Sequence, residues 1–315
     1  MDITAQPSSP GRGAGVVLLN SSSGDSRGAR ELEQIKLLAD FHGDVLIQPR
    51  SAQAMRQAAR QAVLDGAAVV IAAGGDDTVR AALFGMEEAG YFHDLALRQR
   101  TTFGILPLGT FNNFAVAVGV PLDLEQAMDA AHHGETRWID LGRAGSTLFT
   151  ESVGVGIDVA AWKQFPREDP NLMVRIWDGA MAVVRALIIF RPHKYRIVAD
   201  GLTRKKRAYN ITIANTERFS AGMSVAPQAV IDDGLLDLCV IPAMSRIGFL
   251  LSVPLIFLGK HIEYLKGVQY SQVREVTLSA SHRYSARVDS QIKQKLPITV
   301  RVLPNILPMR LPAKT

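Results

Sequence analysis

Short apolar runs alternate with longer segments of helical periodicity along the chain up to about Trp138. Three of the apolar runs predict buried strands, at Val16–Leu19, Ala68–Ile71 and Phe103–Leu106. The intervening and following segments predict four helices, over Ala29–Phe41, Ala52–Leu64, Val79–Glu88 and Asp123–His132. This alternation is typical of a mostly parallel sheet that is covered by helices.

The pattern changes beyond Trp138, where apolar and polar residues alternate with a period of two. Such runs occur at Tyr195–Ala199, Tyr209–Ile213, Val273–Leu278 and Ile298–Val302. One long apolar segment, Leu172–Phe190, predicts a helix among them. We therefore predict an α/β plus β fold, in which a Rossmann-like α/β domain precedes a larger, antiparallel β-rich domain.

Composition agrees with two globular domains, because the chain has 315 residues, 47% hydrophobic and 21% charged. The predicted boundaries are a disordered tail at 1–13, the α/β domain at 14–140, the β-rich domain at 141–303 and a C-terminal segment at 304–315. Cys239 is the single cysteine, which excludes an internal disulfide, and its apolar surroundings predict a core position.

A net charge of +5 suits an anionic partner, such as a nucleotide or a membrane surface. The strongest basic run, Arg204–Arg207, follows the turn Asp200-Gly201 and is either a solvated hairpin tip or a contact for anionic lipid headgroups. No recognition helix, zinc finger or interleaved aromatic pattern accompanies it, so nucleic acid is not expected as a partner.

The longest apolar run, Ile247–Gly259, is interrupted by Pro254 and is shorter than the ~20 residues of a membrane span. It predicts a packed helix, with contact to a lipid surface or an acyl chain as the alternative. Met1–Gly13 lacks the apolar core of a secretory signal. We therefore expect a cytoplasmic protein, with peripheral association at the inner membrane face and homo-oligomerisation left open.

Three loops follow the predicted parallel strands. Ala72-Ala-Gly-Gly-Asp-Asp-Thr-Val-Arg80 places two glycines and an acidic pair at a strand-to-helix turn, where backbone amides can hold an anion. Pro107-Leu-Gly-Thr-Phe-Asn-Asn-Phe-Ala115 forms a tightly shaped loop in which Thr110 or Asn112 is either a ligand-binding residue or a helix N-cap. Asn20-Ser-Ser-Ser-Gly-Asp25 is small and polar. Loops of this type meet at one edge of an open sheet, which predicts a nucleotide site.

Together these loops resemble the catalytic domain of the diacylglycerol-kinase-like lipid kinases, a group that includes sphingosine and ceramide kinases. The loop Pro107–Ala115 matches the family pattern fully and is the most specific element. The resemblance extends to Ile231–Asp237, Ser285–Gln291 and Leu303–Leu307, and so covers nearly the whole chain. It implies an N-terminal α/β domain of the kind also found in NAD kinases, a β-rich second domain, and an ATP site between them. It also offers a return of the C-terminal segment 304–315 to the first domain as one option.

The resemblance also implies roles for individual residues. It assigns ATP binding to Asn20, Ser21, Ser22, Ser23, Gly24, Gly74, Gly75, Asp76, Asp77, Thr78, Gly109, Thr110 and Asn112. It assigns Mg²⁺ to the carboxylate of Asp233 and the backbone carbonyls of Val230 and Leu235. Without the resemblance, the sequence Asp-Asp-Gly favours an ordinary turn residue at Asp233. It places Asp76 beside the metal-bound phosphates and the acceptor lipid hydroxyl beside Asp289 and Gln291.

Three positions depart from the family pattern. Asp77 stands where the family has glycine, and aspartate tolerates the left-handed backbone that such a position would need. The first loop lacks the proline that usually follows Asn20. Gln291 replaces the glutamate that is the family's general base, and an amide cannot accept that proton.

These departures leave three functions open. The preferred hypothesis is an ATP-dependent lipid kinase that phosphorylates a diacylglycerol-like hydroxyl, either slowly or with Asp289 as a substitute base. The second is a nucleotide- or lipid-binding protein with little or no turnover. A kinase of a soluble acceptor such as NAD is the third, and the loop Pro107–Ala115 argues against it.

Overall fold

The computed structural model describes residues 14–20, 26–164, 172–219, 223–281 and 284–313. The chain divides into two compact units. The first comprises residues up to Ile139 together with those from Ile306 onward, and the second is the continuous stretch Asp140–Asn305. The first unit is therefore built from two separate parts of the chain, and the second from one.

The first unit is a parallel sheet with helices in its connections. Its elements are β1 (Val16–Leu19), α1 (Ser26–His42), β2 (Val45–Ile47), α2 (Ala52–Asp65), β3 (Val69–Gly74), α3 (Asp76–Glu88), a 3₁₀ turn (Tyr91–His93), α4 (Leu95–Arg100), β4 (Thr102–Pro107), α5 (Asn113–Val118) and α6 (Leu124–His133). The strands pair in the order β4-β3-β1-β2, all parallel. The α/β class predicted for this region is confirmed.

Local sequence signals account for several helix ends in this unit. Ser51 caps α2 by accepting a hydrogen bond from the amide of Ala54, and Gly66 ends the helix in the left-handed conformation. Asp123 caps α6 through the amide of Gln126. The predicted strands and helices are all present, with ends that shift by a few residues.

The second unit is rich in antiparallel strands. Its elements are β5 (Glu135–Ala144, which begins in the first unit), β6 (Thr147–Phe149), β7 (Ser152–Gly156), α7 (Ile157–Trp162), α8 (Leu172–Ile189), β8 (His193–Ala199), β9 (Leu202–Ala214), β10 (Leu236–Pro242), α9 (Arg246–Phe257), α10 (His261–Tyr264), β11 (Gln269–Val273), β12 (Glu275–Ala280), β13 (Ser285–Val288), β14 (Gln291–Lys295) and β15 (Ile298–Leu311).

The long strand β9 organises this unit. Its first half pairs with β8, and its second half lies between β7 and β10. Beyond β7 the sheet continues to β13 and β14, and beyond β8 to β12 and the start of β15. The predicted β-rich second domain is confirmed.

Two predictions in this unit need correction, one of a strand and one of a hairpin tip. Val273–Leu278 is not one strand, because the carboxylate of Asp200 accepts hydrogen bonds from the amides of Arg274 and Glu275 and breaks the ladder there. The basic run Arg204–Arg207 is not a hairpin tip: it lies within β9, paired with β8. The tip itself is Asp200-Gly201, where both residues have positive φ.

The apolar helices cover the core of the second unit. Cys239 is buried beside residues of α8 and α9, and burial raises the pKa of its thiol to about 12, as expected for a core cysteine. The run Ile247–Gly259 forms α9, with Pro254 inside the helix. No helix among the described residues combines the length and apolar character that a membrane crossing requires.

The last strand of the chain belongs to both units by its sequence. The start of β15 pairs antiparallel with β12, from Ile298 to Arg301. Its end pairs parallel with β4, where Met309 lies opposite Phe103. Residues from Ile306 onward are therefore an edge of the first unit's sheet.

Candidate functional site

The turn between β3 and α3 contains the two glycines predicted to bind phosphate. Gly74 is the last residue of β3, and Gly75 precedes the helix with an extended backbone. The helix begins at Asp76, three residues earlier than predicted, because the carbonyl of Gly75 accepts the amides of Thr78 and Val79 at 2.9 and 3.1 Å. A 13-residue helix thus starts directly after the glycine pair, in the arrangement that favours an anion at its N-terminus.

The second predicted loop packs against this turn, backbone to backbone. Gly74 lies opposite Pro107 in the parallel sheet, so both loops leave the sheet side by side. A Cβ atom placed on Gly109 would come within 2.6 Å of the Cα atom of Gly75, and one on Gly75 within 3.1 Å of Gly109. Glycine at both positions is what allows the two loops to touch.

Asn112 shapes the second loop from inside. Its backbone is left-handed (φ 50°, ψ 42°), and its side-chain amide bonds both the N–H and the carbonyl of Gly109 at 2.8 Å. The alternative interpretation of Asn112 as a helix cap is therefore right in position but wrong in contacts, since its side chain does not bond α5. Thr110, at the tip of the loop, is exposed.

Asp76 joins the two loops. Its carboxylate accepts hydrogen bonds from the amides of Asn113 and Phe114, at 3.2 and 3.1 Å, and so caps the start of α5. Asp76 is also the first residue of α3. The side chain expected beside metal-bound phosphates thus already has a structural role, which is to hold the loop Pro107–Ala115 onto the glycine turn.

Asn20 connects the end of β1 to the same place. Its side-chain amide donates to the hydroxyl of Thr78 at 3.0 Å, and its backbone amide bonds the carbonyl of Ala73. A Cβ atom on Gly74 would collide with that hydroxyl at 2.3 Å. The other predicted residues of this loop, Ser21, Ser22, Ser23 and Gly24, lie outside the described residues.

Asp77 does not adopt the left-handed backbone that the sequence comparison suggested. It is the second residue of α3 and has helical geometry, because the helix starts before it. Its carboxylate pairs with the guanidinium of Arg80 at 2.7 Å. The side chain of Asp77 is 73% exposed and that of Arg80 only 9%. A nearby cation therefore offsets the extra negative charge at this turn.

The predicted metal-binding turn lies in the second unit. The two carboxylate oxygens of Asp233 accept hydrogen bonds from the amide of Leu235 and the side-chain amide of Gln272, both at 2.9 Å. Asp233 and Val230 are exposed. All the predicted ligands are oxygen atoms, which fits the donor preference of Mg²⁺. No cluster of three or more His, Cys, Asp or Glu side chains suited to a metal exists in the described parts of the chain.

Asp140, which the sequence analysis did not identify, holds the backbone of this turn by hydrogen bonds. It is fully buried, and its carboxylate accepts the amides of Gly234 at 2.6 Å and Asn305 at 2.7 Å. Burial raises the pKa of Asp140 above its ordinary value, and the two amide bonds partly oppose that rise. Asp140 thus fixes the backbone that carries Asp233.

Asp289 is held by the backbone of a distant segment of the chain. It is buried with a left-handed backbone (φ 49°), and its carboxylate accepts the amides of Thr150, Glu151 and Ser152 as well as the Thr150 hydroxyl. These four donors occupy both oxygens of the Asp289 carboxylate. Asp289 therefore fixes the backbone of the segment Thr150–Ser152 by hydrogen bonds.

Gln291 begins β14, opposite Val288. Its side-chain oxygen is buried and accepts no hydrogen bond from the described part of the protein. A buried acceptor without a donor is costly, so this oxygen is suited to a ligand that brings a hydroxyl group.

Two further residues beside this segment were missed from the sequence. Glu151 is a carboxylate residue that is only 6% exposed, and its backbone amide bonds Asp289 at 2.9 Å. Arg287, also buried, pairs with Asp158 at 3.0 Å and donates to the backbone carbonyl of Asp289. Alternation in β13 places Arg287 on the face opposite to the apolar Ala286 and Val288, so the sequence gives no sign that Arg287 is buried. No pattern around Glu151 distinguishes it from a loop residue.

Two family models match this chain and together cover most of it. The model described as "Diacylglycerol kinase catalytic domain" matches residues 14–144. The model described as "YegS C-terminal NAD kinase beta sandwich-like domain" matches residues 151–310, about half of the chain.

Individual proteins agree with these models. The chain is 25% identical to a diacylglycerol kinase of Bacillus subtilis over 243 residues, which is 76% of each chain. It is 30% identical over 233 residues to a protein of Escherichia fergusonii named "Probable lipid kinase YegS", covering 71% of this chain and 73% of the relative. The fold matches a crystal structure of a diacylglycerol kinase from Bacillus anthracis with a TM-score of 0.75, at 17% identity, over 95% of this chain and 97% of that one.

Proposed function

Since the chain belongs to the lipid kinase family defined by the diacylglycerol kinase catalytic domain and the YegS C-terminal domain, we propose that it transfers the γ-phosphate of ATP to the hydroxyl group of a diacylglycerol-like lipid. One observation carries the nucleotide part of this proposal. The loops after β1, β3 and β4 are linked by Asn20–Thr78, by Asp76 and by the contact between Gly75 and Gly109.

ATP binds at this junction, with its phosphates over the glycine turn. Backbone amides near the start of α3 and the helix dipole hold the negative charge without a mobile side chain. Asn20, Thr78, Thr110 and Asn112 surround the nucleotide from the neighbouring loops. Ser21–Gly24, which the sequence also assigns to ATP, lie outside the described residues. Mg²⁺ neutralises phosphate charge when bound, and Asp233 with the carbonyls of Val230 and Leu235 would hold it.

Gln291 positions the acceptor. Its buried oxygen accepts a hydrogen bond from the lipid hydroxyl and aligns that hydroxyl for attack on the γ-phosphorus. Because an amide cannot take up the proton, we assign the general base to Glu151, which is bonded through its backbone to the same turn. The hydroxyl proton passes to the Glu151 carboxylate as the new oxygen–phosphorus bond forms and the bond to ADP breaks.

A catalytically impaired, nucleotide- or lipid-binding protein is the second candidate function. Its support is Gln291, because general-base assistance is typically worth about 10²–10⁴-fold in rate. The two candidate functions differ in whether a carboxylate of the protein takes up the proton of the acceptor hydroxyl.

Transfer of radiolabel from ATP to a mixed lipid extract, with the products identified by mass, tests the proposal. We expect a labelled lipid with Mg²⁺. ATP binding without any labelled lipid, across several divalent metals, would instead support the impaired protein.

Two substitutions test the base. Glu151→Gln should lower kcat by about 10²–10⁴-fold and remove the acidic limb of the pH–rate profile. Adding Gln291→Glu to that variant should restore part of both, since it returns a carboxylate to the acceptor segment. Glu275→Gln, a change at an exposed glutamate, is the control. An unchanged pH profile in Glu151→Gln would remove the assignment.

A further inference from the structure

The helix α9 exposes a continuous apolar row. Its five members are spaced three or four residues apart or adjacent, and at 100° per residue they fall within roughly 100° of arc: Ile247, Leu250, Leu251, Pro254 and Leu258 just after the helix end. Ile247, Leu251 and Leu258 are 73%, 72% and 68% exposed. We call these five residues the α9 row.

The opposite side of α9 anchors the helix in the protein. Phe249 and Ile256 are buried in the same core cluster as Cys239, and Ser252 between them bonds the helix backbone. Since this side is already packed, the α9 row is a second apolar face on a fixed helix. A contiguous apolar surface of this kind marks an interaction site.

The charged residues and one aromatic residue that lie close to the α9 row in the sequence favour one kind of partner. Within residues 243–268, three of the four charged side chains are cationic, Arg246, Lys260 and Lys266. The fourth, Glu263, pairs with Lys260 at 3.5 Å. Tyr264, in α10, is 68% exposed. An exposed apolar helix face with cations and an aromatic residue close to it in the chain is typical of a helix that lies in the interface of an anionic bilayer.

We propose that the α9 row is the surface by which this protein docks on membranes that contain anionic phospholipid. The row enters the boundary between headgroups and acyl chains, while Arg246, Lys260 and Lys266 contact lipid phosphates. A second copy of the chain fits this surface less well, because two such faces would bring like charges together. The proposal deepens the proposed function, which requires an acceptor held in a bilayer.

Vesicle binding by the full chain tests the docking surface. The probes are vesicles of phosphatidylcholine alone and of phosphatidylcholine with phosphatidylglycerol, measured by co-sedimentation. We expect binding to the anionic vesicles, weakening with salt, and a loss of about tenfold or more in Ile247→Gln/Leu251→Gln. The matched control is Leu122→Gln, which changes a 62% exposed leucine in the first unit. It should bind vesicles as the unchanged protein does.

Several results would overturn the proposal. Equal vesicle binding by Ile247→Gln/Leu251→Gln and the unchanged protein would exclude the α9 row. A concentration-dependent dimer that this variant abolishes, with no vesicle binding by either protein, would make the row a self-association surface. Both substituted side chains are exposed, so melting of the variant by circular dichroism should match that of the unchanged protein.

Separate experiments can reject the docking surface and the proposed kinase function. Transfer of phosphate to a short-chain acceptor dispersed in detergent needs no bilayer, so Ile247→Gln/Leu251→Gln should retain it at the unchanged rate. Loss of that soluble activity in the variant would show that α9 acts in catalysis and would refute docking as its role. Vesicle binding through the α9 row by a protein that labels no lipid would confirm docking and reject the kinase.

Discussion

The contact between Gly75 and Gly109 leaves no room for a methyl group at either position. Gly109→Ala places a Cβ atom 2.6 Å from backbone, and Gly75→Ala places one at 3.1 Å. Because backbone cannot move aside as a flexible side chain can, we expect Gly109→Ala to cost about 1–3 kcal/mol and to weaken ATP binding by roughly tenfold or more. Gly75→Ala should cost less on both measures, by urea unfolding and by calorimetric titration with ATP. Equal effects, or none, would contradict the observed loop contact.

A second prediction concerns Asp237 in β10, which is 1% exposed. The pKa of Asp237 is raised to about 6, mainly by burial. The Tyr270 hydroxyl lowers this pKa and the nearby charge of Asp233 raises it, and the value of about 6 includes both effects. Between about pH 4 and pH 6 the unfolded chain loses this proton and the folded protein keeps it, so stability falls as the pH rises through that window. The loss is on the order of 1–3 kcal/mol and is complete above the folded pKa.

Asp237→Asn checks this assignment because it keeps the shape and removes the titration. We would measure the free energy of unfolding of both proteins in urea near pH 4 and near pH 7.5. Relative to the unchanged protein, the variant should be more stable by about 1–3 kcal/mol at the higher pH than at the lower one. Asp233→Asn should reduce that difference without abolishing it, since it removes only the neighbouring charge. A constant difference between the proteins at both pH values would mean that Asp237 is ionised in the folded state throughout.

Residue types in the loops could be predicted from the sequence, but their hydrogen-bond partners could not. Gly75, Gly109 and Asn112 were placed together because loops at the ends of parallel strands converge. The sequence predicts Asp289 beside the acceptor hydroxyl, and the structure adds that four donors from the segment Thr150–Ser152 surround its carboxylate. Those donors lie more than 130 residues away in sequence, and no local pattern reveals such a pairing.

At the scale of elements, one carboxylate determines how α3 and α5 meet. Asp76 belongs to α3 and caps α5, while Asp123 caps α6 in the same unit. We expect Asp76→Ala and Asp123→Ala each to lose about 1 kcal/mol of stability, the usual value of a helix cap. Only Asp76→Ala should also lose ATP binding, because only that cap holds the loop Pro107–Ala115 on the glycine turn. Equal ATP affinity in the two variants would make Asp76 an ordinary cap.

Element types followed well from periodicity, whereas element ends depended on contacts that periodicity does not encode. The helix α3 starts at Asp76 because the Gly75 carbonyl accepts two amides, although the apolar pattern begins only at Val79. The strand expected at Val273–Leu278 divides because of the distant Asp200. The sequence of α9 is apolar on nearly all sides, so it does not show which face of the helix is buried and which is exposed. Only the packing of one face against the core distinguishes the two.

At the scale of the whole molecule, the chain order explains why a C-terminal segment matters to an N-terminal unit. The first unit contains residues up to Ile139 and those from Ile306 onward, so the second unit is inserted between its parts. The sequence left the return of 304–315 open, because a short apolar strand carries no signal of which sheet edge it joins. The pairing of Met309 with Phe103 is the contact that defines that edge.

Truncation after Asn305 should therefore unfold the first unit selectively. It removes Leu307, Met309 and Leu311, each fully buried. At about 1.5–3 kcal/mol for each buried side chain, the loss exceeds about 4 kcal/mol, a large share of a typical domain's stability. Hydrogen exchange should show β3 and β4 losing protection while β9 and β10 keep theirs, since Asp140–Asn305 is a continuous unit with its own core. Uniform loss of protection in both units would instead mean that they fold as one cooperative body, and full protection of β4 would show that β15 contributes little to its edge.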